Sequence, residues 1–304
     1  MNAQIIGQVV TSPAAAVEPT SVRDCGGALA LMYGAPTDWS TVSLQKNGDE
    51  DSNAPEVVAL LGRIAIEHKL GRILGPRVSD FNSVFTSNKR DFVWQLNLPG
   101  TDCKLHRGPF VDGVEIRRGD AGIIAAADCA VIVVSTHTGR VFLLHAGRDS
   151  LVDRTLINTG RPSKLISSII ASAWQALTPE ERMFSQWHIL PSITAGAHFQ
   201  HRFDDPKWGR SNLHLVSHIK DKYRYLGMCI VGDMELGQIC VRSLIKAQLR
   251  MYGITSSRIW IDHRCTYKEV DAHGQYVWHS NARGVKEHGD PKARNLFVVI
   301  NKGL

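Results

Sequence analysis

The chain has 304 residues, 43% hydrophobic and 21% charged, an ordinary globular composition whose core needs neither disulfide nor metal to hold it. Its net charge is +6, with the positive excess after about residue 152, and no dense Lys/Arg run with interleaved aromatics marks a nucleic-acid binder. No apolar stretch reaches the roughly eighteen residues of a membrane span. MNAQIIGQVV at the start has neither the basic nor the long apolar region of a signal peptide, so a cytoplasmic protein with free thiols is expected.

Residues 1–20 are small, apolar and proline-bearing, and read as a loose end or an edge strand. A helix is expected over 53–70, with Asn53 as cap, Pro55 in the first turn, and Val57, Val58, Leu61, Ile64 and Ile66 at helical spacing. VWQLNL at 93–98 reads as a strand ended by Pro99-Gly100. CAVIVVS at 129–135 is a continuous β-branched apolar run, the pattern of a strand buried on both faces. After the turn THTGR, VFLLHAG at 141–147 completes a β-hairpin.

An amphipathic helix is expected over 163–177, where Leu165, Ile166, Ile169, Ile170, Ala173, Trp174 and Leu177 share a face. A strand at 187–190, a helix at about 234–252, and strands at 258–262 and 296–301 follow. Strands and helices intermix without a linker, which argues for a single α/β domain over 1–304.

The hairpin holds the first candidate site. With the turn centred on His137, Cys129 and His145 face each other across the two strands. Directly opposed residues project to one side with Cβ atoms roughly 4.5–5.5 Å apart. A thiol and an imidazole so placed suit shared metal ligation, or a histidine that deprotonates a cysteine nucleophile. A one-residue slip of register would separate them to opposite faces, leaving a buried cysteine and a structural histidine.

Around this pair, GDAGII at 119–124, AADC at 126–129 and LLHAG at 143–147 resemble the pattern of the laccase-domain family, whose members are read as purine nucleoside phosphorylases. Further elements resemble the family in order: VRDCGG at 22–27, SLQKNGDED at 43–51, QLRMYGI at 248–254, Cys265-Thr266, HSNAR at 279–283 and KARNLFVVI at 292–300. The resemblance implies a four-layer α-β-β-α sandwich with mixed sheets. It also implies a zinc held by one cysteine and two histidines, carried here onto Cys129 and His145. The third ligand is missing from the matching segment NLPGT at 97–101, where Pro99 stands in the histidine's place. His106, in LHRG, is the replacement candidate, followed by His198 and His201. HAGRDS departs from the family's HAGWRG, with Arg148 in place of the tryptophan and Asp149 in place of the arginine. Arg23 matches an arginine implied to hold phosphate, and Ser280 and Arg283 match pocket-lining positions.

Three readings follow. One is a purine nucleoside phosphorylase or adenosine deaminase, taking a nucleoside and phosphate at a degenerate zinc site. Another is a metal-free Cys–His amidohydrolase, because glutamine deamidases share the architecture and use such a pair. In the last, an inactive member binds a nucleotide-like ligand. A copper oxidase would need many more histidine ligands than the motifs supply.

Overall fold

The computed structural model describes residues 17–39, 55–78, 85–86, 92, 94–161, 168–194, 199–207, 209–287, 290 and 292–303. In chain order these residues form β1 (Ser21–Asp24), β2 (Ala28–Tyr33), α1 (Pro55–Glu67), β3 (Arg72–Arg77), β4 (Phe85–Thr86), β5 (Trp94–Asn97), β6 (Lys104–Phe110), β7 (Gly113–Ile116), β8 (Ala121–Ala126), β9 (Ala130–Ser135) and β10 (Val141–Ala146). Then come α2 (Arg148–Leu151), α3 (Arg154–Thr159), α4 (Ile169–Ala176), α5 (Pro179–Phe184), β11 (Gln186–Ile189), β12 (Phe199–Gln200), α6 (Gly209–Tyr223), β13 (Gln238–Ile239), α7 (Val241–Met251), β14 (Ile259–Ile261), α8 (Asn281–Lys286) and β15 (Asn295–Asn301).

Among the described residues the long strands make two mixed sheets. The first runs β1-β2-β15-β8-β3-β6-β5 and the second β14-β11-β9-β10-β7-β4. In the first, β3 is parallel to both β6 and β8, and in the second β11 is parallel to β14. Three apolar clusters fix the layers. Leu61 and Ile64 of α1 pack on Ile73, Leu105, Ile123 and Val298 outside the first sheet. Met32, Leu74, Ile124 and Phe297 face Val114, Val131, Val133 and Leu143 between the sheets. Ile132, Val134, Phe142 and Leu144 carry Ile170, Leu215, Val216 and Ile245 outside the second. The order is therefore helix, sheet, sheet, helices, the α-β-β-α sandwich expected. β9 and β10 are buried at every residue, which is why their sequences show no polar alternation.

Several expected elements are trimmed and one is replaced. The helix at 53–70 is found as Pro55–Glu67, and that at 163–177 as Ile169–Ala176, with Leu165 and Ile166 outside the described residues. The expected helix at 234–252 is β13 followed by the shorter α7, because Gly237 takes a φ of 59° and its amide closes a turn onto the Met234 carbonyl. The longest described helix, α6, had not been expected. No described helix is long and apolar enough to cross a membrane.

Candidate active site

The hairpin forms, with its register displaced by two residues from the expected one. His145 pairs with Val131 rather than Cys129, and Val141 with Ser135. The loop spans Thr136 to Arg140 and is centred on Thr138. Gly139 sits there at a φ of 82°, and the Thr136 amide donates to the Arg140 carbonyl at 3.0 Å. An even displacement preserves the face. Cys129, just before β9, packs with Val131, Val133, Val141 and Leu143 between the sheets, whereas Ala130, Ile132, Leu144 and Ala146 face the outer helices. Cys129 and His145 are thus diagonal neighbours on the inner face, a relation that on a regular ladder spans roughly 7–8 Å.

His145 is held by a residue that the sequence reading passed over. Asp112, fully buried just before β7, accepts the His145 backbone N–H at 2.7 Å and brings Oδ1 to 3.2 Å from the ring Nδ1. β7 pairs with β10 through Leu144 and Gly113, so Asp112 is the cross-strand neighbour of His145. A carboxylate on Nδ1 fixes the tautomer that leaves Nε2 as the basic nitrogen. Single-sequence reading offered no signal for it beyond an aspartate before a short strand.

The turn carrying Cys129 is anchored by buried polar groups. Asp128 accepts the Thr266 hydroxyl at 2.8 Å and the Ala282 amide at 2.7 Å, and its own carbonyl accepts the Ile193 amide at 3.2 Å. Asn295 donates to the carbonyls of Ala127 and His279 at 3.2 and 2.9 Å. Segments AADC, Cys265-Thr266, HSNAR and KARN, widely spaced in sequence, therefore converge on one turn. Beside it the Cys265 Sγ accepts the Thr194 hydroxyl at 3.0 Å and the Thr194 amide at 3.4 Å. Among the described residues no cysteine is in a disulfide.

The expected cations fare differently. Arg23, on β1, stands at 3.9 Å from Asp262, which Arg264 grips with two bonds of 2.9 and 2.5 Å. Burial works to raise the Asp262 carboxyl, but the Arg264 bonds and the charges of Arg264 and Arg23 outweigh it and hold it below the usual range. Arg148 is paired in bidentate fashion with Asp149 at 3.0 and 2.9 Å, so the charge carried over from the family's motif is locally balanced. The Arg283 guanidinium is spent on the carbonyls of Thr266, Tyr267 and Trp278 and stacks 3.6 Å over the Tyr276 ring. Ser280 caps α8, accepting the Arg283 amide at 3.2 Å. Ser280 and Arg283 thus hold the frame of the site.

The third-ligand candidates lie apart. His106 is on β6 in the other sheet, paired with Leu74 and Gln95. Pro99 packs on the outer side of that sheet, its carbonyl where a Cβ on Gly62 of α1 would fall at 2.8 Å. His201 is buried beside Gly237, with Nδ1 at 3.2 Å from that carbonyl, and His198 lies outside the described residues. Among the described residues no three His, Cys, Asp or Glu side chains converge as metal ligands would. Of the ligands that the resemblance implies, Cys129 and His145 share the inner face of the second sheet, and His106 stands on the other sheet.

No protein-family model and no curated protein matches this sequence. Solved structures do match its fold. YlmD from Geobacillus stearothermophilus superposes with a TM-score of 0.59 at 16% identity, over 91% of this chain and 93% of its own. Neisseria meningitidis NMB0706, a DUF152 protein, gives 0.55 at 14% identity, covering 91% and 94%. YfiH from Bacillus licheniformis gives 0.55 at 13% identity, covering 91% and 92%. The class defined is a mixed α/β fold with two packed sheets. Within it, this chain has the fold of the DUF152 and YfiH-type structures, along nearly its whole length.

Proposed function

We propose that this chain is a thiol-dependent hydrolase of C–N bonds, with Cys129 as nucleophile, His145 as general base and Asp112 orienting the imidazole. The observation that carries the reading is the buried Asp112 carboxylate at 3.2 Å from the His145 Nδ1. A nucleophile, a base and a group that orients the base are the three parts such chemistry requires. His145 takes the thiol proton at Nε2, and the thiolate attacks an amide or amidine carbon. The C–N bond breaks as His145 returns the proton to the leaving nitrogen, and water then releases the acyl group from sulfur.

A second reading keeps the same face and makes it a purine nucleoside phosphorylase or deaminase. It is favoured by the fold shared with DUF152 and YfiH-type structures and by Arg23 beside the inner face. Its zinc would need a ligand beyond Cys129 and His145. Ammonia release from glutamine amides and from adenosine, with and without phosphate, separates the two. Phosphate-independent ammonia from the glutamine amides and none from adenosine, abolished by alkylating Cys129, supports the hydrolase, whereas ammonia from adenosine supports the deaminase. Phosphate-dependent release of free purine base supports the phosphorylase and defeats the hydrolase.

A further inference from the structure

The outer face of the first sheet carries a buried cation with a second cation beside it. Arg107, on β6, is 8% exposed. β3 and β6 run parallel, with Ile73 opposite Leu105 and Gly75 opposite Arg107. Ile73 and Leu105 belong to the cluster under α1, so strand alternation sets Gly75 and Arg107 on that same face, away from Cys129 and His145. Gly75 makes the seat. A Cβ there would fall 3.3 Å from the Arg107 Cδ and Nη1 and 3.2 Å from the Ile123 Cγ1, so the guanidinium lies across the gap that the missing side chain leaves.

The Arg107 Nη1 is enclosed and, among the described residues, has no hydrogen-bond partner. The charge that acts on the group is that of another cation, Arg77. Burial, then the Arg77 charge, pushes Arg107 down to about 10, which leaves it protonated at neutral pH. A buried cation without a counter-charge is costly, and a like charge beside it adds to the cost. Arg77 closes β3, and the register of the β3–β6 pair shifts between Gly75 and Arg77, which sets Arg77 opposite Phe110. Its guanidinium carbon stands 5.2 Å from the centroid of that ring, and Phe110 is 56% exposed. Irregularities of this kind re-aim side chains next to binding sites. Both arginines thus gather towards the carboxyl ends of two parallel strands, the end of such a sheet where ligands bind.

We propose that Arg107 and Arg77 form a site for a phosphoryl group, with Phe110 as the surface for the body of an ester that carries it. A phosphate monoester has about −1.5 to −2 charges at neutral pH, enough to balance two guanidinium groups, whereas a carboxylate balances one. The guanidinium fork also matches its oxygens. Of the Arg107 nitrogens only Nη1 is both enclosed and unpartnered among the described residues, so the phosphoryl group approaches by the edge of Nε and Nη2. This site does not depend on the chemistry proposed for Cys129.

The probes are phenyl phosphate, inorganic phosphate and phenol, which lacks the charge. Calorimetry and melting temperature are measured on the whole chain as wild type, Arg107→Met, Arg77→Met and Arg23→Met. One phenyl phosphate is expected per chain, raising the melting temperature, with no binding of phenol. Inorganic phosphate weaker by about tenfold assigns the site to an ester, and equal affinity assigns it to the free ion; both results keep the phosphoryl site. Arg107→Met should abolish binding of both phosphates, and Arg77→Met should weaken both by about tenfold. Arg23→Met, which alters a cation beside the inner face, should bind as the wild type does. Failure of both phosphates to bind the wild type at millimolar concentration overturns the proposal, as does binding that survives Arg107→Met or is lost in Arg23→Met. Should Arg107→Met not fold, Arg77→Met at the rim decides, and unchanged affinity for phenyl phosphate overturns the proposal.

Discussion

Two buried histidines flank β9 on the same inner face of the second sheet, and they differ in what meets their rings. His145 on β10 lies opposite Val131 and has the Asp112 carboxylate at Nδ1. His188 on β11 lies opposite Val133 and, among the described residues, neither of its ring nitrogens has a hydrogen-bond partner. Its ring stacks on Trp260, with centroids 6.3 Å apart and planes 7° from parallel. Burial, followed by the Arg23 charge, pushes it down to about 4 against a weaker pull from Asp24. Two imidazoles two residues apart in strand level thus meet opposite surroundings. The carboxylate orients one imidazole, as the proposed chemistry requires of a base, while the other packs as a neutral ring. Burial alone does not distinguish them; the partner does.

The sharpest way to break this comparison is to remove the chemistry on one side only. Cys129→Ala and His145→Gln should each lower turnover by about a thousandfold or more, whereas His188→Leu should leave it within a factor of about three. Equal losses for His145→Gln and His188→Leu, in assays of ammonia release, would sink the distinction.

Asp112→Asn tests the partner itself. It keeps the shape but offers Nδ1 an amide that cannot stabilise an imidazolium, so turnover should fall about a hundredfold or more. Folding should survive if the His145 backbone bond persists. The pH-rate profile is the useful readout, because a merely structural Asp112 would change stability and leave the profile in place.

The His188 side of the comparison is thermodynamic. Its folded value, about 4, lies below the ordinary 6.5, so the unfolded chain binds the proton that the folded chain refuses. The sign follows: its contribution is fully present above pH 6.5 and is lost as pH falls from there towards 4. The shift corresponds to at most about 3 kcal/mol. His188→Leu should therefore flatten the stability curve across that window in urea titrations. An acid limb identical to the wild type would show that His188 is not buried neutral.

The smallest expected effect lies at the anchor of the Cys129 turn. Thr266→Val removes one hydrogen bond to Asp128, at a cost of about 1 kcal/mol or a few degrees of melting temperature. Alkylation of Cys129 by iodoacetamide should accelerate modestly as the turn loosens. A large loss of stability would mean that Asp128 has no other adequate support, contrary to its bond with the Ala282 amide.

What could be read from the chain without coordinates had a pattern. The β9–β10 hairpin was legible because continuous β-branched runs admit few alternatives, and the shared face of Cys129 and His145 survived the register error because the displacement was even. α6 was overlooked although Asn212, Leu215, Val216, Ile219 and Tyr223 bury at helical spacing, because its polar residues dilute the stripe. Asp112 and His188 could not be assigned in advance. A carboxylate before a short strand, and a histidine in QWHI, look alike in any context-free reading.

By itself, then, the sequence determined the alternation of strands and helices, the two-sided burial of the central hairpin and the placing of a thiol and an imidazole on one face. These follow from side-chain periodicity, which is local. Only the tertiary structure decided which groups lie opposite that face. It brought Asp112 to His145 across β7 and β10, tied Asp128 to segments over a hundred residues away, and set His106 on β6 of the first sheet, with Pro99 in the turn after β5. The reason is physical: hydrogen-bond partners and metal ligands are chosen by distance in space, and strand order sets that distance, which no local pattern encodes.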